Sequence, residues 1–238
     1  MSESVALPGL FITGTDTGVG KTWFTAAIAR HLTSRGMRVG IIKPVATGIT
    51  DPCEAGSDAA IALAAAGWPV TREFGELANP VRYLAPAAPT VAARAEGKVS
   101  DWSELVASVR SSISAWANSG ADVLLIEGAG GVCCPLAEGG YTMLELMTEI
   151  DFPVLIVARK SLGTLSHSIS AVRLLGIGPT RTAGVVLNCL PGEDPAGLPE
   201  STAAAELASY IAPVPLLYDG PGPIGRIDWA GLSARARW

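Results

Sequence analysis

Hydrophobic residues in this chain fall into two kinds of segment that alternate along its length. Short unbroken runs at Leu10–Thr13, Val39–Ile42, Val123–Ile126, Val154–Ala158 and Thr182–Leu187 have the length of buried strands. Between them, apolar positions recur at helical spacing over Trp23–Ser34, Ser57–Ala66, Ser100–Trp116, near Leu165–Leu175 and over Ser201–Ile211. Boundary residues support these helices. Gly36 stands where a C-cap glycine would, Ser57 reads as an N-cap, and Ser100, Asp101 and Glu104 form a capping pattern. Ala78–Thr90 carries Pro80, Pro86 and Pro89 and reads as a loop or short edge strand; the Pro- and Gly-rich tail reads as weakly patterned. Strand, loop, helix and strand over the first forty residues make a parallel βαβ unit, given right-handed crossover. Continued alternation predicts an α/β fold of three layers, a mainly parallel β-sheet with helices on both faces. No repeat or linker interrupts residues 1–238, so a single domain is expected.

Composition changes this picture little. Of 238 residues 49% are hydrophobic and 16% charged, which excludes a disordered chain. No apolar run reaches the ~18 residues that span a bilayer. Met1–Leu10 has no basic region and does not read as a signal peptide, so a cytoplasmic protein without a membrane partner is expected. The net charge of −5 argues against nucleic acid, whose affinity comes mainly from basic groups on phosphates. Cys53, Cys133, Cys134 and Cys189 show no zinc spacing and are expected to be reduced thiols, Cys133 and Cys134 packing rather than touching ligand.

The chemistry lies at strand ends, where ligands bind in parallel sheets. Gly14-Thr15-Asp16-Thr17-Gly18-Val19-Gly20-Lys21-Thr22 joins the first strand to the first helix. Glycines there let backbone N–H groups turn toward an anion, and the helix N-terminus adds partial positive charge. Lys21 can reach the outer phosphates of a nucleoside triphosphate, and the Thr22 hydroxyl can ligate Mg²⁺. Gly14 lies one residue early for the usual spacing and Thr15 takes the first glycine's place, but Gly20-Lys21-Thr22 is intact. This predicts a P-loop NTPase fold. Val123–Ile126 then runs into Glu127, a possible Mg²⁺ carboxylate, and Gly128-Ala129-Gly130-Gly131, where backbone can approach a ligand. Lys43 ends the second strand; by position alone it reads first as a surface lysine. Asp58 alone reads first as an acid favouring its helix dipole. His31 and His167 have no recognisable triad partner, and Trp23 and Trp68 are expected to pack rather than to stack on a base.

Taken together, the phosphate loop, Lys43-Pro44-Val45-Ala46-Thr47-Gly48, Ser57-Asp58-Ala59, Glu127-Gly128-Ala129-Gly130-Gly131 and Ser161-Leu162-Gly163-Thr164-Leu165-Ser166-His167 resemble the dethiobiotin synthetases of biotin synthesis. The resemblance spans most of the chain and implies an ATP- and Mg²⁺-dependent ligase. Carbon dioxide would form a carbamate on one amine of 7,8-diaminononanoate, ATP would phosphorylate it, and the second amine would close the ureido ring. The resemblance implies further that Lys21 and Lys43 are catalytic and that Thr22, Asp58 and Glu127 hold Mg²⁺. Nucleotide contacts would run over Gly18, Val19, Gly20, Lys21, Thr22 and Trp23, then Asp58, Glu127, Gly128, Ala129 and Gly130. Asn188 would read the adenine edge, and Pro215, Leu216 and Leu217 would pack along the base. Thr47, Gly163 and Thr164 would bind substrate, its carboxylate tail crossing a homodimer interface at Leu162–His167. The chain departs from the family pattern at Gly18, where some members carry glutamate, at Thr90, where histidine is common, and at Ser166, where asparagine is frequent.

One rival is a partitioning or scaffold ATPase of the same superfamily. It would carry a signature lysine five positions before the motif lysine, where this chain has Asp16. An amidotransferase would need a glutaminase domain, for which too little chain remains beyond Asn188. A nucleotide-binding module without catalysis would lack hydrolysis dependent on diamine and bicarbonate.

Overall fold

The computed structural model describes residues 7–220 and 227–236; the start of the chain, part of the Pro- and Gly-rich tail and the last two residues lie outside the described residues. In chain order the elements are β1 (Gly9–Gly14), α1 (Lys21–Thr33), β2 (Val39–Ile42), β3 (Val45–Thr47), α2 (Asp58–Ala65), α3 (Arg72–Ala78), β4 (Val81–Tyr83), α4 (Pro89–Ala95) and α5 (Trp102–Asn118). They continue with β5 (Val123–Gly131), β6 (Pro135–Ala137), β7 (Tyr141–Thr142), α6 (Met143–Ile150), β8 (Val154–Arg159), α7 (Thr164–Leu175), β9 (Thr182–Asn188), α8 (Leu198–Ile211), β10 (Leu216–Asp219) and α9 (Trp229–Ala236).

Six strands form one parallel sheet in the order β10-β9-β8-β1-β5-β2, with helices packed on both faces. The expected three-layer α/β architecture is present. β1 is central and wholly buried, as an unbroken apolar run between two helical layers must be. Later strands were added on both of its sides, so the chain reverses direction across the sheet there. The crevice opens at that reversal, beyond the C-terminal ends of β1 and β5.

β2 is the sheet's edge, and side chains rather than a further strand cover it. The indole Nε1 of Trp68 donates to Val39 O (2.7 Å) and that of Trp116 to Ile41 O (2.8 Å). These rings pack together and on Phe74, so each brings both apolar area and the donor that an unpaired edge carbonyl requires. Trp68 packs as expected. Trp23 packs edge-on against Phe24 but leaves 45% of its surface exposed.

Several elements differ from the sequence reading. Pro89 is not a loop marker but the start of α4, where its missing N–H costs nothing. The expected edge strand in this region is β4, paired with β3. α6 was missed although it carries a capping box between Thr142 and Glu145. α8 starts three residues earlier than Ser201, with proline in its first turn, and α9 lies in the tail read as weakly patterned. Among the described residues no helix is long and apolar enough to cross a membrane.

Candidate functional site

Between β1 and α1 the loop closes around its own lysine. Lys21 Nζ donates to Asp16 O at 2.9 Å. Gly14, early for the usual spacing, does the work of the first glycine: a Cβ there would lie 2.9 Å from Asp16 O and 3.2 Å from Lys21 Nζ. Gly20, at φ 99°, is the N-cap of α1, and a side chain on it would strike the Asn188 amide. No side chain caps α1, so its first N–H groups are left to an anion. Burial, and then the like charge of Lys43, lower the Lys21 pKa to about 8.

Three other segments deliver side chains to the same place. Thr22 Oγ1 lies 2.7 Å from Asp58 Oδ1 and 2.8 Å from Glu127 Oε1. Lys43 Nζ lies 2.6 Å from Asp58 Oδ2, 3.0 Å from Glu127 Oε1 and 3.1 Å from Gly128 O. All three of its ammonium protons thus have acceptors. Burial opposes the charge on Lys43 most strongly, but Glu127 and Asp58 together outweigh it and hold the pKa above the ordinary lysine range. The same attraction overcomes the burial of Asp58 and holds its carboxyl below the usual range. Lys43 is therefore a buried group whose carboxylate partners favour its charged form, not the surface lysine that position alone suggested.

The oxygen atoms here suit a hard cation. A hydroxyl carries one proton, so Thr22 can donate to only one of the two carboxylate oxygens beside it. The second approach brings oxygen against oxygen, and Glu127 Oε2 is buried without any hydrogen-bond partner. A small divalent ion among Thr22, Asp58 and Glu127 would satisfy these oxygens and keep positions for phosphate and water, as Mg²⁺ prefers. Among the described residues no group of three or more His, Cys, Asp or Glu side chains could hold a metal, so any ion here depends on the hydroxyl as well.

A cleft of about 520 Å³ is lined by Gly18, Gly20, Lys21, Thr22, Lys43, Thr47, Asp58, Glu127, Ala129 and Gly130, all singled out from the sequence. Val19 is buried beneath the loop, and Gly128 turns its carbonyl to Lys43. The strand end was misjudged: β5 continues through Glu127 to Gly131, because Gly131 can lie against Thr15 O where a Cβ would come within 2.9 Å.

Other nominated residues lie apart from this cleft. Asn188 ends β9 and donates through Nδ2 to Val19 O (3.0 Å), bracing the loop. Leu217 is buried against Gly184, while Pro215 and Leu216 are half-buried. Gly163 and Thr164 open α7; Thr164 is buried beside Ser168. Of the cysteines, all free, Cys133 is exposed, contrary to its expected packing, and Cys134 is half-buried.

Sequence reasoning passed over Asn79, buried and bonded to the backbone of Lys43, because an asparagine before proline reads as a turn. It also passed over Lys160, whose ammonium meets Asp219 Oδ1 and Gly220 O, each at 2.7 Å. Its position at a strand's C-terminal end was the available signal.

Comparison with known proteins places this geometry among relatives. A family model described as AAA domain matches residues 8–218. The chain is 38% identical to the ATP-dependent dethiobiotin synthetase BioD of Methylobacterium nodulans, covering 84% of this chain and 88% of the relative. It is 34% identical to the protein of that name from Phenylobacterium zucineum, covering 95% and 96%. Among solved structures, the signal recognition particle receptor FtsY of Elizabethkingia anophelis superposes with a TM-score of 0.53 at 15% identity. This chain spans 64% of that receptor's length, and the likeness is one of fold.

Proposed function

The chain belongs to the ATP-dependent dethiobiotin synthetase family, and from that premise we propose that it converts 7,8-diaminononanoate, carbon dioxide and ATP to dethiobiotin in the cytoplasm, as one domain over residues 1–238. It is an ATP-dependent ligase of biotin biosynthesis. The reading of a partitioning or scaffold ATPase is not favoured, and Asp16, standing where that class has its lysine, pairs with Arg159 instead.

The observation that carries the proposal is Lys43, a buried ammonium at the floor of the same cleft as Lys21. A general phosphate loop has no use for it. In the proposed reaction one amine of the diamine adds to carbon dioxide, giving an anionic carbamate. Lys43 gives up a carboxylate contact to meet that anion, and Lys21 leaves Asp16 O for the outer phosphates. The γ-phosphoryl group passes from ATP to a carbamate oxygen with ADP leaving, and the second amine then attacks the carbonyl carbon, expels phosphate and loses a proton as the ring closes. Magnesium, when bound, would be held by Thr22, Asp58 and Glu127 and would supply charge neutralisation of the transferring group. Thr47, half-buried in the cleft, would hydrogen-bond the diamine end. We assign the adenine side to Asn188 with Pro215 and Leu216, and the carboxylate tail to Gly163 and Thr164 of a second copy. The four free thiols suit a reducing compartment.

Phosphate release should require ATP, Mg²⁺, bicarbonate and 7,8-diaminononanoate together. Lys43→Gln should lower kcat/KM on the order of 10²-fold, roughly 3 kcal/mol, while a non-hydrolysable ATP analogue still binds by calorimetry. Normal turnover by Lys43→Gln, or phosphate release indifferent to the diamine, would remove the basis of the proposal.

A further inference from the structure

Lys43 is the last residue before Pro44, at the point where β2 leaves the sheet, and its backbone is held by groups that are not part of any strand. Its N–H donates to Ala78 O at 2.6 Å. Its carbonyl accepts from Asn79 Nδ2 at 2.7 Å. This continues the edge pattern in which Val39 O and Ile41 O take the Trp68 and Trp116 indoles, one donor at every second residue. Only the third position lies beneath the reacting groups, and only there is the donor a small amide.

Asn79 has no exposed surface. Its Nδ2 also donates to Val81 O (3.2 Å), its own N–H closes α3 on Gly75 O, and its carbonyl accepts from Arg82 Nη1. With both amide protons given to carbonyls, the orientation of the side chain is fixed. Its Oδ1 remains buried without a partner. A leucine would fill such a space without stranding an acceptor, so packing alone does not account for an asparagine here.

We propose that Asn79 is a positioning residue for the Lys43 ammonium: its amide pins the lysine carbonyl and so sets where Nζ meets the carbamate. The inference rests on the role given to Lys43 above. Pro44 cannot donate a hydrogen bond, and it confines Lys43 to extended backbone. Without Asn79 the Lys43 carbonyl would have lost the donor that fixes it, and the strand end could pivot about the remaining contact with Ala78.

Asn79→Ala should keep the affinity for a non-hydrolysable ATP analogue within about threefold and lower diamine-dependent kcat about tenfold or more. Asn79→Asp supplies a readout that a packing role would not move. While its buried carboxyl is neutral it can donate to Lys43 O, so turnover relative to the parent chain should be highest at acid pH. On ionisation the donor is lost, and the ratio should fall as pH rises. The ratio is measured only where thermal melting shows the variant folded, and it decides the matter should Asn79→Ala fail to fold. Parent-like turnover by either folded variant at every pH would overturn the inference, as would nucleotide affinity falling in parallel with kcat. Lys43→Gln is assayed alongside. If it is fully active, the role of Lys43 has failed; if it is inactive while the Asn79 variants are normal, only the positioning role has failed.

Discussion

At the scale of single residues the cleft sets two lysines in opposite electrostatic situations. Lys43 has two carboxylates beside it and keeps its proton; Lys21 has burial and a like charge, and its pKa falls to about 8. An incoming triphosphate reverses the balance at Lys21, so nucleotide binding above pH 8 must take up a proton. Affinity for a non-hydrolysable analogue should therefore fall by up to about tenfold per pH unit above 8. Calorimetry in buffers of differing ionisation enthalpy should detect the proton, and Lys21→Met should abolish both effects. A pH-independent affinity between 7 and 10 would contradict this. The same shift bears on stability. A lysine whose folded pKa is depressed opposes folding at full strength below about pH 8, and between 8 and the ordinary 10.5 its contribution improves as the unfolded chain binds more protons. The cost below pH 8 is on the order of 3 kcal/mol. Lys21→Met should accordingly raise the nucleotide-free Tm by several degrees at pH 7 and by less at pH 10.

At the scale of elements the far end of the sheet is tied differently from the near end. β10 pairs only with β9, and Lys160, two strands away, reaches across to Asp219 and Gly220. Lys160→Met leaves Asp219 largely to solvent but deprives the buried Gly220 carbonyl of its donor, a loss of about 1–3 kcal/mol. Hydrogen exchange over Leu216–Asp219 should quicken in that variant while amides of β2 stay protected; uniform quickening would show that the tie is not local. Contacts of this kind also mark what the sequence could tell. β1, β2, β5, β8 and β9 were legible because a strand buried on both faces leaves an unbroken apolar run. The cleft was legible as separate blocks, since each lies directly after such a strand. That Thr22 meets Asp58 and Glu127 came only from the family resemblance, and that Asn79 grips Lys43 came from neither source: those pairs are joined by sheet order, which periodicity does not encode. α4 was hidden by a proline that begins it, and α6 was passed over although its capping box was there to read.

At the scale of the whole molecule, the lining of one cleft holds too few positive groups for the proposed substrate. The cations lining the cleft are Lys21 and Lys43, both occupied with phosphate and carbamate in the proposed reaction, so the carboxylate at the substrate's far end finds no cation among these lining residues. Beyond the C-terminal end of β8, Leu162 stands 86% exposed, followed by Gly163 at φ 96° and a helix start that no side chain caps. An apolar side chain beside free helical N–H groups suits a neighbouring chain that brings a carboxylate. Light scattering should give twice the 24.4 kDa chain mass at assay concentrations. Leu162→Glu should raise KM for the diamine about tenfold or more and leave nucleotide affinity unchanged. Mixing distinguishes a shared site from mere association. A Lys43→Gln chain has a disabled cleft but an intact Leu162 segment, and a Leu162→Glu chain has the reverse. If each cleft is completed by its neighbour, a heterodimer of the two holds one whole site, and the mixture should exceed the summed activities of its components. No gain on mixing in verified heterodimers, or a fully active monomer, would mean that each cleft binds the tail with residues of its own chain.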